Sequence, residues 1–125
     1  MRLLLDTHIF LWAVAGSPQL KPAVRRLIDS ADEVCVSAVS IWEIAIKSGL
    51  GKIDADAQAL ADCIAASGFV HLPITAAHAA GVAQLAPHHS DPFDRLLVAQ
   101  AMAEPLKLVT VDGVLAKYSD LVMLV

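Results

Sequence analysis

Apolar positions in this chain fall into short unbroken runs separated by longer segments with helical periodicity. Residues 3–5, three consecutive leucines, stop at Asp6. That is the pattern of a strand buried on both faces with a polar residue at its carboxyl end. Similar runs at 33–36, 69–74, 106–111 and 121–125 predict four further strands. Thr7 is the predicted cap of a first helix that carries Ile9, Phe10, Trp12 and Ala13 and closes at Gly16, Ser17 and Pro18. A second helix spans 22–30, with Val24, Leu27 and Ile28 on one face and Arg25 and Arg26 turned to solvent. Ser37 or Ser40 opens a third, through Ile41, Trp42 and Ile44 to Gly49 and Gly51. The alanine-rich stretch 56–67, with Leu60 and Ile64 four apart, makes a fourth that ends at Gly68. Thr75 caps a fifth over 76–86, residues 87–90 form a loop, and a sixth helix covers 92–103 before Pro105. A short helix at 114–118 precedes the last strand. Strands alternating with helices imply right-handed crossovers. The expected fold is therefore a three-layer α/β/α sandwich with a mainly parallel sheet of about five strands.

Composition adds three constraints. A length of 125 residues suits one domain, 1–125, with a single core. A hydrophobic content of 57% is high, so the helices are expected to be mostly buried or to present an apolar surface to a partner. Nine Lys and Arg against thirteen Asp and Glu give a net charge of −4, which argues against a protein that coats nucleic acid through overall charge. A nuclease stays open, because carboxylates that have bound Mg²⁺ present a reversed sign to phosphate. Cys35 and Cys63 belong to no metal-binding or redox spacing and read as small buried hydrophobes in a reducing compartment. The apolar run 9–15 mimics a signal peptide, but Asp6 and His8 interrupt its hydrophobic region. No run reaches the length of a membrane span, and the expected location is cytoplasmic.

Chemistry concentrates in the stretch 88–103, HHSDPFDRLLVAQAMA, and in three acids far from it. In an open parallel sheet, ligands sit beyond the carboxyl ends of the strands, where helices start. Asp6 and Asp112 follow apolar strands, Glu43 lies early in the third helix and Asp94 in the first turn of the sixth, so all four can face one crevice. Each also has a structural reading. Asp6 is able to cap a helix, but Thr7 is available for that. Glu43 completes a capping-box pattern with Ser40 and can pair with Lys47. Asp112 precedes Gly113 in a common turn pair. With Pro92 at the first helical position, Asp91 reads as the cap, and Asp94 as the acid that the helix delivers to the crevice. A carboxylate-rich set suits Mg²⁺ or Mn²⁺. His88 and His89 read as loop residues near substrate, and His71 and His78 as core or surface imidazoles. Arg95, Lys47 and Lys52 are candidates for phosphate contact, each balanced by a solvated position.

The segments LLLDTHIFLW, SAVSIWEIAIKSGLGK, HHSDPFDRLLVAQA and LVTVD, in this order and over nearly the whole chain, resemble PIN-domain proteins of the VapC toxin type. The resemblance implies a Mg²⁺-dependent endoribonuclease, with Mn²⁺ as a substitute, that is the toxin of a type II toxin–antitoxin pair. It assigns the four catalytic and metal-binding acids to Asp6, Glu43, Asp94 and Asp112, and makes Asp91 an extra acid whose part at the metal stays open. Partners implied are an RNA substrate, a small antitoxin laid over the toxin groove, and a second copy in a homodimer. Bound metal would activate water for attack on an RNA phosphodiester. Four crowded carboxylates repel, so some of them should hold protons at raised pKa until metal binds.

Three other readings compete. A phosphoacceptor signalling domain needs a lone aspartate after a central strand and a late lysine, whereas Ser37 follows Val36 and the late strand ends in Asp112. A non-catalytic binding module would leave the acids as caps and turns. An RNA-processing PIN nuclease without an antitoxin keeps the chemistry and drops the partner.

Overall fold

The computed structural model describes residues 1–125 and has the expected three-layer architecture. Five strands, β1 (Arg2–Leu5), β2 (Glu33–Ser37), β3 (Val70–Leu72), β4 (Lys107–Thr110) and β5 (Val122–Leu124), form one sheet in the order β3-β2-β1-β4-β5. Every neighbouring pair is parallel, and β1 lies at the centre with Leu4 opposite Cys35 on one side and Leu108 on the other. Alternation along the strands explains why the leucine run is unbroken. Leu3, Leu5, Val34, Val36 and Val109 enter one core cluster, while Leu4, Cys35 and Leu108 enter the other. Each fully buried leucine contributes roughly 2–3 kcal/mol of apolar transfer free energy.

Six helices cover the faces: α1 (Thr7–Ala15), α2 (Pro22–Ser30), α3 (Ala38–Gly49), α4 (Ala57–Ala66), α5 (Ala76–Gly81) and α6 (Pro92–Ala103). Ile9 and Phe10 of α1, Val24 and Ile28 of α2, and Ile64 of α4 fill the first cluster. Leu97, Val98 and Ala101 of α6 fill the second, with Leu96 partly buried against it. None of the helices is long and apolar enough to cross a membrane.

Four local expectations change. The cap of α1 is Asp6, whose Oδ1 accepts from the Ile9 amide, and Thr7 is the first helical residue. Ser37 caps α3 at the Val39 amide, so Ser40 opens no capping box and Glu43 lies in the second turn. The helix over 76–86 stops at Gly81 and continues as a single 3₁₀ turn, Val82–Gln84. There α5 approaches α6 so closely that a Cβ on Gly81 would stand 3.8 Å from that of Ala99. The short helix at 114–118 is likewise a 3₁₀ turn, Leu115–Lys117.

Of the two positions open to His78, core or surface, it takes the core, with its ring nitrogens satisfied. Its Nδ1 accepts from the Thr75 amide and its Nε2 faces Glu104 at 2.7 Å. His71 is exposed. Cys35 is buried and Cys63 half-buried, and burial pushes the Cys35 thiol up to about 12, which leaves it unreactive.

Candidate functional site

The chain winds outward from β1 to β2 and β3, then returns across the sheet to β4 and β5. Crossovers of opposite direction leave a crevice between the carboxyl ends of β1 and β4, the usual ligand position in such sheets. The Asp6 amide donates to Val109 O across this seam at 3.1 Å. A cavity of about 260 Å³ opens here, lined by Asp6, Glu43, Asp91, Asp94 and Asp112 together with His8, Lys47 and His89. All four acids read from the sequence, and the accessory Asp91, therefore face one space.

Local structure holds each acid in place. Asp6 is nearly buried, with one carboxylate oxygen on the α1 amide and the other accepting from the Thr110 hydroxyl. Thr110 Oγ1 also accepts from the Asp112 amide at 3.0 Å, so the end of β4 orients two acids through one hydroxyl. Glu43, 3% exposed, reaches the pocket from α3. Its Oε1 accepts from the Thr7 hydroxyl at 2.6 Å, with the Ser40 hydroxyl 3.0 Å from the same threonine oxygen. Lys47, one turn on, pairs with Oε2. Asp91 caps α6 through the Phe93 and Asp94 amides at 2.8 and 3.1 Å, and still lines the pocket. Asp112 makes the turn suggested by Asp-Gly, accepting from the Val114 amide, while its other oxygen faces inward.

Electrostatics record the crowding. Burial, then the neighbouring carboxylates of Asp91 and Glu43, raise Asp94 to about 7. Burial also raises Asp6, against the hydrogen bonds from Thr110 and Ile9 that hold it down. Lys47 is held charged by its bond to Glu43 and by the field of Asp91 and Asp94. A cavity whose burial and crowded carboxylates raise Asp94 and Asp6, with most of its donors carboxylate oxygens at strand and helix ends, fits a divalent cation.

His89 was read only as a loop residue near substrate, and its placement is closer than that. Its Nε2 lies 3.1 Å from Asp112 Oδ2 and 3.3 Å from Asp94 Oδ2. Geometrically the three could form a metal triad. The imidazole chemistry argues otherwise: Nδ1 accepts from the Asp91 amide, so the neutral ring has its lone pair there and its proton on Nε2. Such a ring donates to Asp112, lies beside Asp94, and offers no lone pair to an ion.

Arg95, a phosphate candidate from the sequence, is committed elsewhere. Its guanidinium donates to the carbonyls of Val82, Ala86 and His89 and to the Tyr118 hydroxyl, which itself accepts from the His89 amide. These bonds anchor the segment between α5 and α6 that carries His89. Lys52 is exposed in the turn after α3, away from the cavity lining. Lys47 is the one lysine or arginine that lines it. Arg95→Ala should cost about 2 kcal/mol, since several bonds to a charged donor are lost at once. Thermal denaturation should show a fall in Tm of roughly 5–10 °C, and an unchanged Tm would refute the anchoring role.

Fold and pocket define a class, the parallel α/β domains with an acid-lined crevice at the switch point of the sheet. Within it, the chain belongs to the PIN domain family, whose profile matches residues 3–121. Ribonuclease VapC22 of Mycobacterium tuberculosis is 33% identical over 115 residues, covering 87% of this chain and 85% of that protein. The structure of VapBC2 from Rickettsia felis, bound to a DNA fragment from its promoter, superposes with a TM-score of 0.71 at 20% identity over 99% of this chain and 97% of the other. FitAcB from Neisseria gonorrhoeae gives 0.61 at 22% identity, over 90% and 89%. At these identities the two structures speak to the fold.

Proposed function

We propose that residues 1–125 act as one PIN-like domain that cleaves RNA phosphodiesters with a divalent cation, Mg²⁺ or Mn²⁺, held by Asp6, Glu43, Asp94 and Asp112. The observation that carries this reading is the convergence of these four acids from β1, α3, α6 and β4 into one polar cavity. The 33% identity to a protein named as a ribonuclease supports the substrate class. A cation bound here supplies charge to polarise a phosphate and to lower the pKa of an attacking water.

The chain's own residues do the rest. Thr7 and Thr110 fix the carboxylates of Glu43 and Asp6 so that they need not reorganise on binding. His89 donates to Asp112 and stands beside Asp94. Asp91 starts α6 and adds negative potential, as an accessory to the four. Lys47 neutralises Glu43 and is the cation nearest an incoming phosphate.

The proposed setting is a cytoplasmic toxin–antitoxin pair, supported by a structural neighbour from Klebsiella pneumoniae described as a toxin–antitoxin complex. A small antitoxin would cover the site, and the chain would work as a homodimer. The exposed apolar side chains Trp42 and Ile46 of α3, and Leu50 just past its end, at four-residue spacing, offer surface for such contacts. Expression of the chain alone should arrest growth with RNA breakdown, and expression of Asp94→Ala should do neither. Equal arrest by both proteins would remove Asp94 from catalysis. Growth unaffected by either, with no cleavage by the purified chain, would favour a binding module.

A further inference from the structure

The groups that hold the pocket acids come almost entirely from helices, strands and the turns at their ends. Asp6 is bound by the Ile9 amide and the Thr110 hydroxyl, and Glu43 by the Thr7 hydroxyl and the Lys47 ammonium. Asp112 is different. The Val114 amide holds its Oδ1, but its Oδ2 accepts from His89 Nε2, which also stands 3.3 Å from Asp94 Oδ2. His89 belongs to the connection between the 3₁₀ turn Val82–Gln84 and α6, which has no helix or strand of its own.

Side chains on such connections are ordinarily the least fixed part of a domain. This one is held at three points. The Asp91 amide donates to Nδ1 at 3.0 Å, the His89 amide donates to the Tyr118 hydroxyl at 2.8 Å, and the His89 carbonyl accepts from Arg95. Tyr118 is itself fixed, packed against the second core cluster, bonded to Arg95 at 3.1 Å and met edge-on by the His88 ring at 5.0 Å. All these contacts aim one N–H at one carboxylate oxygen. That oxygen has a second lone pair, so it can accept from His89 and still face a cation. Groups that hydrogen-bond a ligating carboxylate set its orientation and thereby the affinity of the site.

We propose that His89, aimed by Tyr118, is a positioning residue whose Nε2–H holds Asp112 at the spacing from Asp94 that a divalent cation requires. The proposal rests on the cation assignment made for the pocket, and calorimetry of the full chain with Mn²⁺ separates the two. His89→Leu should weaken Mn²⁺ binding by about 10- to 100-fold, the usual effect of removing such a partner. His89→Gln, whose amide can place a donor near the position of Nε2, should restore most of it. Tyr118→Phe removes one hydroxyl outside the cavity lining and should weaken binding by about 2- to 10-fold, the worth of one hydrogen bond.

Nitrogen NMR of the imidazole supplies a readout that a merely structural role would not move. Nε2 should carry the proton and Nδ1 the lone pair both without metal and at saturating Mg²⁺. Loss of the Nε2 proton on saturation would make His89 a ligand and overturn the proposal. Wild-type Mn²⁺ affinity in both His89→Leu and Tyr118→Phe would overturn it as well, while leaving the cation assignment intact. Should His89→Leu fail to fold, Tyr118→Phe and the NMR spectrum carry the test. A wild-type chain that binds no Mn²⁺ would sink the cation assignment and the positioning role together.

Discussion

Mn²⁺ or Mg²⁺ should raise the Tm of the wild-type chain by about 10 °C at a hundredfold excess over its dissociation constant, and Asp6→Asn should lose most of that rise. The size follows from linkage: ligand at 100 Kd adds about 2.7 kcal/mol, and each kcal/mol moves Tm by roughly 3–5 °C at this chain length. Asn is the informative replacement because it isolates charge. Asparagine caps helices as well as aspartate does, so α1 keeps its start at the Ile9 amide. A loss of metal response without loss of metal-free stability therefore reports on coordination. A response equal to that of wild type would remove Asp6 from the metal site.

The second large effect is a pH dependence of the metal-free protein. Asp94 titrates at its ordinary value near 4 when unfolded and at about 7 when folded, because burial and the carboxylates of Asp91 and Glu43 oppose its charge. Below about pH 4 both states hold the proton and Asp94 leaves stability unchanged. Between about 4 and 7 the folded chain keeps a proton that the unfolded chain has released, so stability falls as pH rises. Above about 7 the penalty is complete. Three units would correspond to about 4 kcal/mol. Partial exposure and relaxation of neighbouring groups should reduce this to about 2 kcal/mol. Urea denaturation in a chelating buffer should show the decline, and Asp94→Asn should flatten it and exceed wild type in stability at pH 8. An undiminished decline in Asp94→Asn would assign it to another group. Bound cation should offset the penalty, since it stabilises the charged form of the same acids.

Much of the fold was legible because its cause is local. The leucine run at 3–5 needs no partner to declare a strand buried on both faces, and Asp91 with Pro92 marks the start of α6, which runs over the expected 92–103. The sequence likewise points to four acids at element ends, since position in a βα unit is a local property. What escaped it depends on groups distant in sequence. Thr7, which looked like a cap, instead orients Glu43 from 36 residues away, and Thr110 reaches Asp6 across 104. No periodicity signals such pairs. Arg95 looked free because its acceptors are backbone carbonyls of the 82–89 segment and a tyrosine 23 residues away, which no side-chain pattern announces. The proton position on His89 depends on one backbone amide, that of Asp91. His8 was noticed only as a break in a hydrophobic run, although its place two residues after Asp6, in the first turn of α1, was a usable sign that it borders the pocket.

The central claim is that the acid pocket, loaded with a divalent cation, cleaves RNA. Its most direct test is the cleavage rate of a labelled single-stranded RNA by the purified chain in Mn²⁺, beside the same chain in chelator and Asp94→Asn in Mn²⁺. The account predicts cleavage by the first alone, with the variant slower by roughly 10³-fold, in line with losing a charge-stabilising group from a preorganised site. Cleavage that survives chelator, or that Asp94→Asn carries out at the wild-type rate, would contradict it.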